Sequence, residues 1–428
     1  MGSHQGPVRR ARVRQVEVGH AQRMPAIGVA LLRDALSRAI GGKRVALIDT
    51  RMSQVLLAGD WAIKLRRPRA PTASAAERQR ALVRELRCNR RLSPRVYVGV
   101  LPVCAAVDRQ PWLAGLSQPT RVDRTGSASR SVGQRIASLE PIRLAPFAIA
   151  RSSGAGSVNR AVEREVSPEG RPIDWALLMR RLPARRFLDR MIRSGEVRTN
   201  DIDRLASRLY GLYRESPLAP CSVDQHRARF EREQAACRTQ LLALGGRLAA
   251  GEPEAIDRLE RLLDDADVAL RDQRDALAER IRARCVIEAH GDLRPEHVCL
   301  IEPIELIDRL DFDRRLRWLD PWEELCLLGL LCAMAGAAWI GPRLARGLLI
   351  DGARHPMPAR ELLAFYSLHH ALVRARLALS HLSDPRAPRA RHWLTQTRRY
   401  LGHAEAAGEG WQPLDPQPML RPSRQGGW

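Results

Sequence analysis

His290-Gly291-Asp292-Leu293-Arg294-Pro295-Glu296-His297 opens shortly after the apolar run Cys285-Val286-Ile287, and Asp308-Arg309-Leu310-Asp311-Phe312-Asp313 follows a second apolar pair, Leu306-Ile307. Two short apolar strands, each ending near an aspartate and joined by a loop, can bring one carboxylate to a reacting hydroxyl and another to a metal ion. Asp292 is the candidate for the first and Asp308 for the second. Asp311 and Asp313 are nearby alternatives whose plainer role is turn or helix solvation.

Phosphoryl transfer needs this geometry: a base for the acceptor proton, and metal-bound carboxylates that hold the triphosphate. The same residues leave other chemistry open. His290, Asp292, His297 and Asp308 would also suit a mixed His/carboxylate metal site for hydrolysis. A third reading is a protein that binds nucleotide or another anion without turnover.

The surrounding composition narrows the choice. A chain of 428 residues is long enough for two domains or one large two-lobed unit. The net charge of +23 invites a nucleic-acid or anionic-membrane reading. However, the arginines are spread through every segment, whereas phosphate-backbone footprints are clustered, so specific nucleic-acid binding is not expected. Of 71 basic residues only Lys43 and Lys64 are lysine. Where nearly every positive charge is Arg, a retained Lys suggests a need for a compact ammonium, the point charge used to clamp a triphosphate.

The eight cysteines show no CxxC pair and no metal-ligand spacing, and most sit in apolar runs. They read as small buried hydrophobes in a reducing, cytoplasmic setting. No secretory apolar segment follows the basic N-terminus. Leu325 to Gly341 is uncharged and apolar, but Glu323 and Glu324 precede it. It is expected to be one buried core helix and not a membrane span.

Along the chain, residues 1–25 read as a flexible basic arm. Val29 to Ile40 has helical spacing closed by Gly41-Gly42. Val45 to Leu57 and Trp61 to Leu65 alternate around Gly59-Asp60, predicting a hairpin with Ala62 and Lys64 on one face and Ile63 and Leu65 on the other. Glu77 to Leu92 reads as a helix carrying Glu85 on the face of Ala81 and Cys88. The pattern dissolves over 105–165, read as an irregular or disordered insertion. It resumes with a strand over Pro172 to Met179. The chain is then mostly helical to about residue 405, with Ile256, Leu259, Leu262 and Leu263 as an apolar stripe, and residues 406–428 read as a loose tail. Asp320, before Pro321, reads as a helix N-cap that orients the loop. The expected organisation is an N-lobe over 26–180 and a helical C-lobe over 181–405.

Several segments together resemble a known family. They are Thr50-Arg51-Met52-Ser53, Ala62 to Pro68, Arg84 to Leu92, Val96 to Val100, Met179 to Pro183, His290 to Leu300, Leu306 to Leu325 and Phe365 to Leu382. In this order they resemble the aminoglycoside-phosphotransferase-like bacterial proteins of the kinase-like superfamily, in the group often fused to a P-loop ATPase domain. No GxxxxGK[ST] motif occurs in this sequence, so that domain is not expected here.

The resemblance implies an α+β, two-lobed protein-kinase-like fold with a small β-rich N-lobe and a mostly helical C-lobe. It implies transfer of the γ-phosphate of ATP, with Mg²⁺ or Mn²⁺, to a hydroxyl of a small molecule. Asp292 would be the base, with His290 beside it in the catalytic loop, more to hold the loop than to react. Lys64, paired with Glu85, and Ser53 would meet the phosphates, and Met179 the nucleotide base. Asp308 would hold the metal. His297 stands where the superfamily has Asn and would be a second metal position or a loop-structuring residue. The abundance of arginine argues for an anionic or neutral acceptor over a cationic one.

Overall fold

The computed structural model describes residues 26–50, 52–67, 74–105, 111–113, 172–248, 254–351, 355–383 and 389–408. The basic arm, most of the 105–165 stretch and the tail after residue 408 lie outside them.

Helix α1 (Ala26–Ala39) buries Val29, Leu32 and Leu36, positions one turn apart. It ends where Gly41 donates to Arg38 O and Gly42 to Ser37 O, both glycines having positive φ, a Schellman closure. The stretch expected as one strand from Val45 to Leu57 is two, β1 (Ala46–Asp49) and β2 (Ser53–Ala58). The break is local: Thr50 N–H and Oγ1–H both donate to Ser53 O, which folds the chain back on itself. Strand β3 (Trp61–Arg66) pairs antiparallel with β2 across the expected Gly59-Asp60 turn. Helix α2 (Ala75–Arg90) starts in a capping box, with Ser74 N–H donating to Glu77 Oε2 and Glu77 N–H to Ser74 Oγ.

Strands β4 (Tyr97–Ala105), β5 (Pro111–Leu113) and β6 (Pro172–Arg180) complete a six-stranded sheet of order β1-β2-β3-β6-β4-β5. Strand β5 falls inside the stretch expected to lack structure; its pairing with β4 supplies what its short, patternless sequence does not show. A buried ion pair, Arg78 Nε to Asp174 Oδ1 at 2.7 Å, ties α2 to β6.

From Leu188 onward helices dominate: α3 (Leu188–Ser194), α4 (Thr199–Glu215), α5 (Val223–Ala243), α6 (Gly245–Leu248), α7 (Glu254–Asp272) and α8 (Arg274–Arg282). Four two-residue strands follow, β7 (Ile287–Glu288), β8 (Val298–Cys299), β9 (Glu305–Leu306) and β10 (Trp318–Leu319), with β7 pairing β10 and β8 pairing β9. Helices α9 (Pro321–Met334), α10 (Ile340–Asp351), α11 (Arg360–Ser380) and α12 (Ala390–Gly408) close the described chain. The architecture is α+β, as expected: one sheet-bearing part and one mostly helical part.

Two helical expectations need correction. Ile256 is exposed in the first turn of α7, and the buried stripe runs through Leu259, Leu262, Leu263 and Ala266 instead. The apolar run Leu325 to Gly341 is not one helix. At Gly336 (φ 97°) the chain turns, with Gly336 N–H donating to Ala333 O and Ala337 N–H to Cys332 O. This Schellman motif ends α9 and lets α10 leave in a new direction. Among the described residues no helix is long and apolar enough to cross a membrane.

The chain divides into two compact units. The smaller takes its described residues from Met1–Val83 and Gly99–Met179, and the larger from Arg84–Val98 and Arg180–Trp428. The second half of α2, anticipated with the N-terminal lobe, thus groups with the helical unit. Its polar side chains bond to the segment around Arg309, which accounts for the grouping.

Candidate active site

In the larger unit the segment from His290 to Asp292 forms a loop between β7 and a 3₁₀ turn at Pro295–His297. Gly291 has φ 92°, and a Cβ there would lie 3.0 Å from Leu316 O and 3.1 Å from both Leu310 Cδ1 and Arg317 Cγ. Both backbone conformation and space therefore require glycine before Asp292.

The loop is held from beneath by a carboxylate. Glu324, in the first turn of α9 and fully buried, accepts the Gly291 N–H at 2.7 Å, the His290 N–H at 3.3 Å and the Tyr213 O–H at 3.0 Å. Burial pushes its carboxyl up to about 7, against the opposing pull of those donors. Asp320 caps α9 as expected, accepting the Trp322 N–H at 3.0 Å. It is also held by the Arg280 guanidinium.

His290 is fully buried. Its Nε2 lies 2.9 Å from Ile307 O and its Nδ1 receives the Asp292 N–H at 3.4 Å. These partners fix the tautomer with hydrogen on Nε2. Burial, followed by the neighbouring His297, lowers its pKa to about 3, so the ring stays neutral. With both nitrogens engaged, His290 ties the loop to Ile307 and to the Asp292 backbone.

His297 joins the two acidic segments. Its Nδ1 donates to Asp292 O at 2.8 Å, while its Nε2 lies 3.6 Å from Asp308 Oδ2 and 2.9 Å from Arg294 Nη2. The carboxylate of Asp292 is half-buried, and that of Asp308 is 47% exposed. Asp308 itself has φ 61°, an uncommon conformation for a residue with a Cβ, and its N–H donates to Tyr97 Oη at 3.0 Å. Such local strain persists only where surrounding contacts hold it.

Those contacts come from the end of α2 and the turn after it. Asn89 Oδ1 accepts the Arg309 N–H at 2.7 Å, and Asn89 Nδ2 donates to Arg309 O at 3.3 Å. Ser93 Oγ donates to Leu306 O at 2.8 Å and accepts the Leu306 N–H at 3.0 Å. The buried Arg309 guanidinium then donates to Ala289 O at 2.9 Å and Glu288 O at 2.6 Å, binding the second acidic segment to the strand before the first.

Asp308 and His297 could contribute two donors to a divalent ion. Among the described residues no group of three or more His, Cys, Asp or Glu side chains is arranged to hold a metal. Mg²⁺ takes oxygen ligands, keeps waters and completes its shell with substrate phosphates, so the Asp308 carboxylate fits it and the His297 imidazole fits it poorly.

Of the other candidates, Glu85 lies in the same unit, on α2, and is buried. Ser53, Lys64 and Met179 belong to the smaller unit. The register pairs Ser53 with Arg66 and Val55 with Lys64, so Ser53 and Lys64 share one face of the β2–β3 hairpin as diagonal neighbours. Met179 is half-buried near the end of β6, the strand next to β3.

Sequence reasoning missed Asn89, Ser93, Tyr97, Tyr213, Arg309 and Glu324. Two had a legible signal. Asn89 continues the buried positions Leu82 and Leu86 of α2, and Glu324 opens an otherwise apolar helix; a polar residue on such a face must have a partner. The partners themselves lie far away in the chain and left no local trace.

No protein-family model matches this chain. Three curated mycobacterial proteins do, among them the uncharacterized proteins Rv2004c of Mycobacterium tuberculosis (strain ATCC 25618 / H37Rv) and Mb2027c of Mycobacterium bovis (strain ATCC BAA-935 / AF2122/97). Each is 24% identical over 371 residues, covering 83% of this chain and 59% of the relative. The chain thus spans less than two thirds of the length of the curated relatives it matches. Among solved structures, choline kinase from Cryptosporidium parvum Iowa II aligns with a TM-score of 0.43 at 9% identity, over 88% of this chain and 91% of that one. The aminoglycoside 2'-phosphotransferase-IIIa GDP complex aligns with a TM-score of 0.39 at 10% identity, over 88% and 97%. At such scores the likeness adds nothing to the geometry described above.

Proposed function

We propose that this chain is a kinase-like phosphotransferase that moves the γ-phosphoryl group of ATP to a hydroxyl of a small molecule. The observation that carries this reading is the His297 imidazole, bonded to the backbone of Asp292 on one side and 3.6 Å from the Asp308 carboxylate on the other. The ring thus lies between the residue that would accept the proton and the carboxylate that would hold the metal, the two groups that phosphoryl transfer requires close together.

In this reading Asp292 orients the acceptor hydroxyl and takes its proton. Asp308 would hold Mg²⁺, which supplies charge neutralisation at the triphosphate when bound, with His297 at the second metal position beside it. Lys64 and Ser53, on one hairpin face, would meet the phosphates, Glu85 would pair with Lys64, and Met179 would contact the nucleotide base. A cytoplasmic setting fits the free cysteines, since Cys237, Cys285, Cys299, Cys326 and Cys332 are buried thiols.

The test is a thermal-shift and ATP-consumption series on the parent chain and three variants. Ligand that binds only the folded state raises the midpoint, by about 3 kcal/mol of added stability at a hundred-fold excess over Kd. Mg²⁺-ATP should stabilise the parent. Lys64→Ala should weaken nucleotide binding, and Asp308→Asn should weaken only its metal-dependent part. Asp292→Asn should bind normally and turn over at least about a hundred-fold more slowly. Unchanged ATP affinity and turnover in Lys64→Ala would overturn the proposal.

One contact favours a second reading, a nucleotide-binding protein without turnover: Arg294 Nη2 covers the His297 nitrogen that would face the metal. His297→Asn separates the two. Increased Mg²⁺-dependent ATP consumption in that variant supports a retained catalytic centre, and nucleotide binding with no consumption in either form supports the second reading.

A further inference from the structure

Two guanidinium groups flank the oxygens of Asp292. Arg294 Nε stands 3.0 Å from Asp292 Oδ2, and its Nη1 is 2.9 Å from Glu296 Oε1. Arg374, on α11, brings Nη1 to 3.9 Å from Asp292 Oδ1, with its guanidinium 6.0 Å from the Tyr400 ring centroid. Burial works against the charge on Arg374, but Tyr400, Asp292 and Glu296 outweigh it and the group stays cationic.

The hydrogen-bonding balance at this spot is uneven. Both carboxylates here, Asp292 and the neighbouring Glu296, are already engaged by Arg294. One donor is not engaged: the Nε of Arg374 is buried with no hydrogen-bond acceptor. Buried donors of charged groups are normally satisfied, and exceptions point to a missing partner. A cationic acceptor would find its carboxylate partners taken by Arg294, whereas an anionic one would find Arg374, which comes no nearer to Asp292 than 3.9 Å and has an N–H to spare.

We infer that Arg374, together with Arg294, forms an acceptor subsite for an anionic group, a carboxylate or a phosphate, borne by the same small molecule whose hydroxyl meets Asp292. This rests on the phosphotransferase reading for the role of Asp292. The acceptor is then a hydroxy acid or a phosphorylated polyol. Its hydroxyl oxygen forms the new bond to the γ-phosphorus, its proton passes to the Asp292 carboxylate, and the bond to the β-phosphate oxygen breaks with its electron pair leaving on ADP. Guanidinium is suited to the task because its planar fork meets carboxylate and phosphate oxygens two at a time.

The experiment measures binding separately from turnover. Calorimetric titration of the full chain with glycerol 3-phosphate, glycerate, glycerol and choline, without nucleotide, is run on the parent, Arg374→Gln and Arg374→Lys. The two anions should bind at least about ten-fold more tightly than glycerol or choline. Arg374→Gln should lose that margin, and Arg374→Lys should keep part of it. Initial rates with Mg²⁺-ATP should show KM for the anionic acceptor rising in Arg374→Gln by more than kcat falls, with KM for ATP unchanged. Equal binding of anions and choline by the parent overturns the inference. So does an anion affinity that neither Arg374 variant alters. Arg374-dependent anion binding without ATP consumption would leave the subsite standing and remove the phosphotransferase reading. Phosphorylation of glycerol or choline as efficiently as the anions would do the reverse.

Discussion

Glu324 carries more of the candidate site than either aspartate that drew attention to it. Its carboxylate is the acceptor for two backbone N–H groups of the loop and for Tyr213. Burial raises its carboxyl from 4.5 to about 7, so in the folded chain it remains protonated where an unfolded glutamate has ionised. Its contribution to stability is therefore complete below about pH 4.5 and is lost as pH rises towards 7. Glu324→Gln has no such titration. Parent stability minus variant stability, from urea unfolding, should fall by about 3 kcal/mol across that window. A difference independent of pH would return the carboxyl to its ordinary range. Gly291 allows a paired test with Gly195. Both have positive φ, but a Cβ at Gly195 meets nothing within 4 Å, whereas one at Gly291 meets three atoms. Gly195→Ala should cost about 1–2 kcal/mol, from backbone conformation alone. Gly291→Ala should cost more and should also slow turnover, because the Asp292 backbone must move.

The end of α2 shows what an element contributes beyond the residues recognised on it. Glu85 was singled out by its order relative to Lys64. Asn89, one turn on, is what fixes the Arg309 backbone, and Ser93 fixes Leu306. Asn89→Leu keeps the helix and the volume but leaves the Arg309 N–H and C=O without partners. A loss of about 1–3 kcal/mol is expected, with amide exchange accelerated over 306–310 and unaltered in α5. Exchange rising equally in both would mean general destabilisation. The hairpin and the N-cap of α9 were legible because their determinants are local: a Gly-Asp turn, and Asp320 before Pro321. The division of Val45–Leu57 and the end of α9 were not, because a turn held by a threonine and a glycine inside an apolar run resemble their surroundings.

Charge acts on the molecule as a whole. Most ion pairs among the described residues are exposed or half-exposed, and such pairs contribute little. A net charge of +23 is a larger effect, since like charges repel in any compact state. Raising NaCl from about 20 to about 300 mM shortens the screening length from about 20 to about 6 Å. The thermal midpoint should therefore rise with salt, as a melting series would show; a fall would mean that specific ion pairs outweigh the repulsion. The α+β class followed from patterns spread over hundreds of residues and was legible for that reason. The pairing of Arg294 and Arg374 at Asp292 was not, because Arg294 belongs to the same motif as Asp292 but Arg374 comes from α11, and only folding brings the two together.

The Arg309 side chain also bears on how this protein could be altered or recombined. It fastens the strand before Asp292 to the segment after Asp308, while its backbone is fastened to α2. Residues 85–97 and 287–324 therefore form one transplantable cassette with two separate stretches of gene. A chimera that exchanges either stretch alone inherits mismatched halves, whereas α11, which supplies Arg374, lies outside the cassette and must be matched to it through Tyr366, whose hydroxyl donates to Asp320.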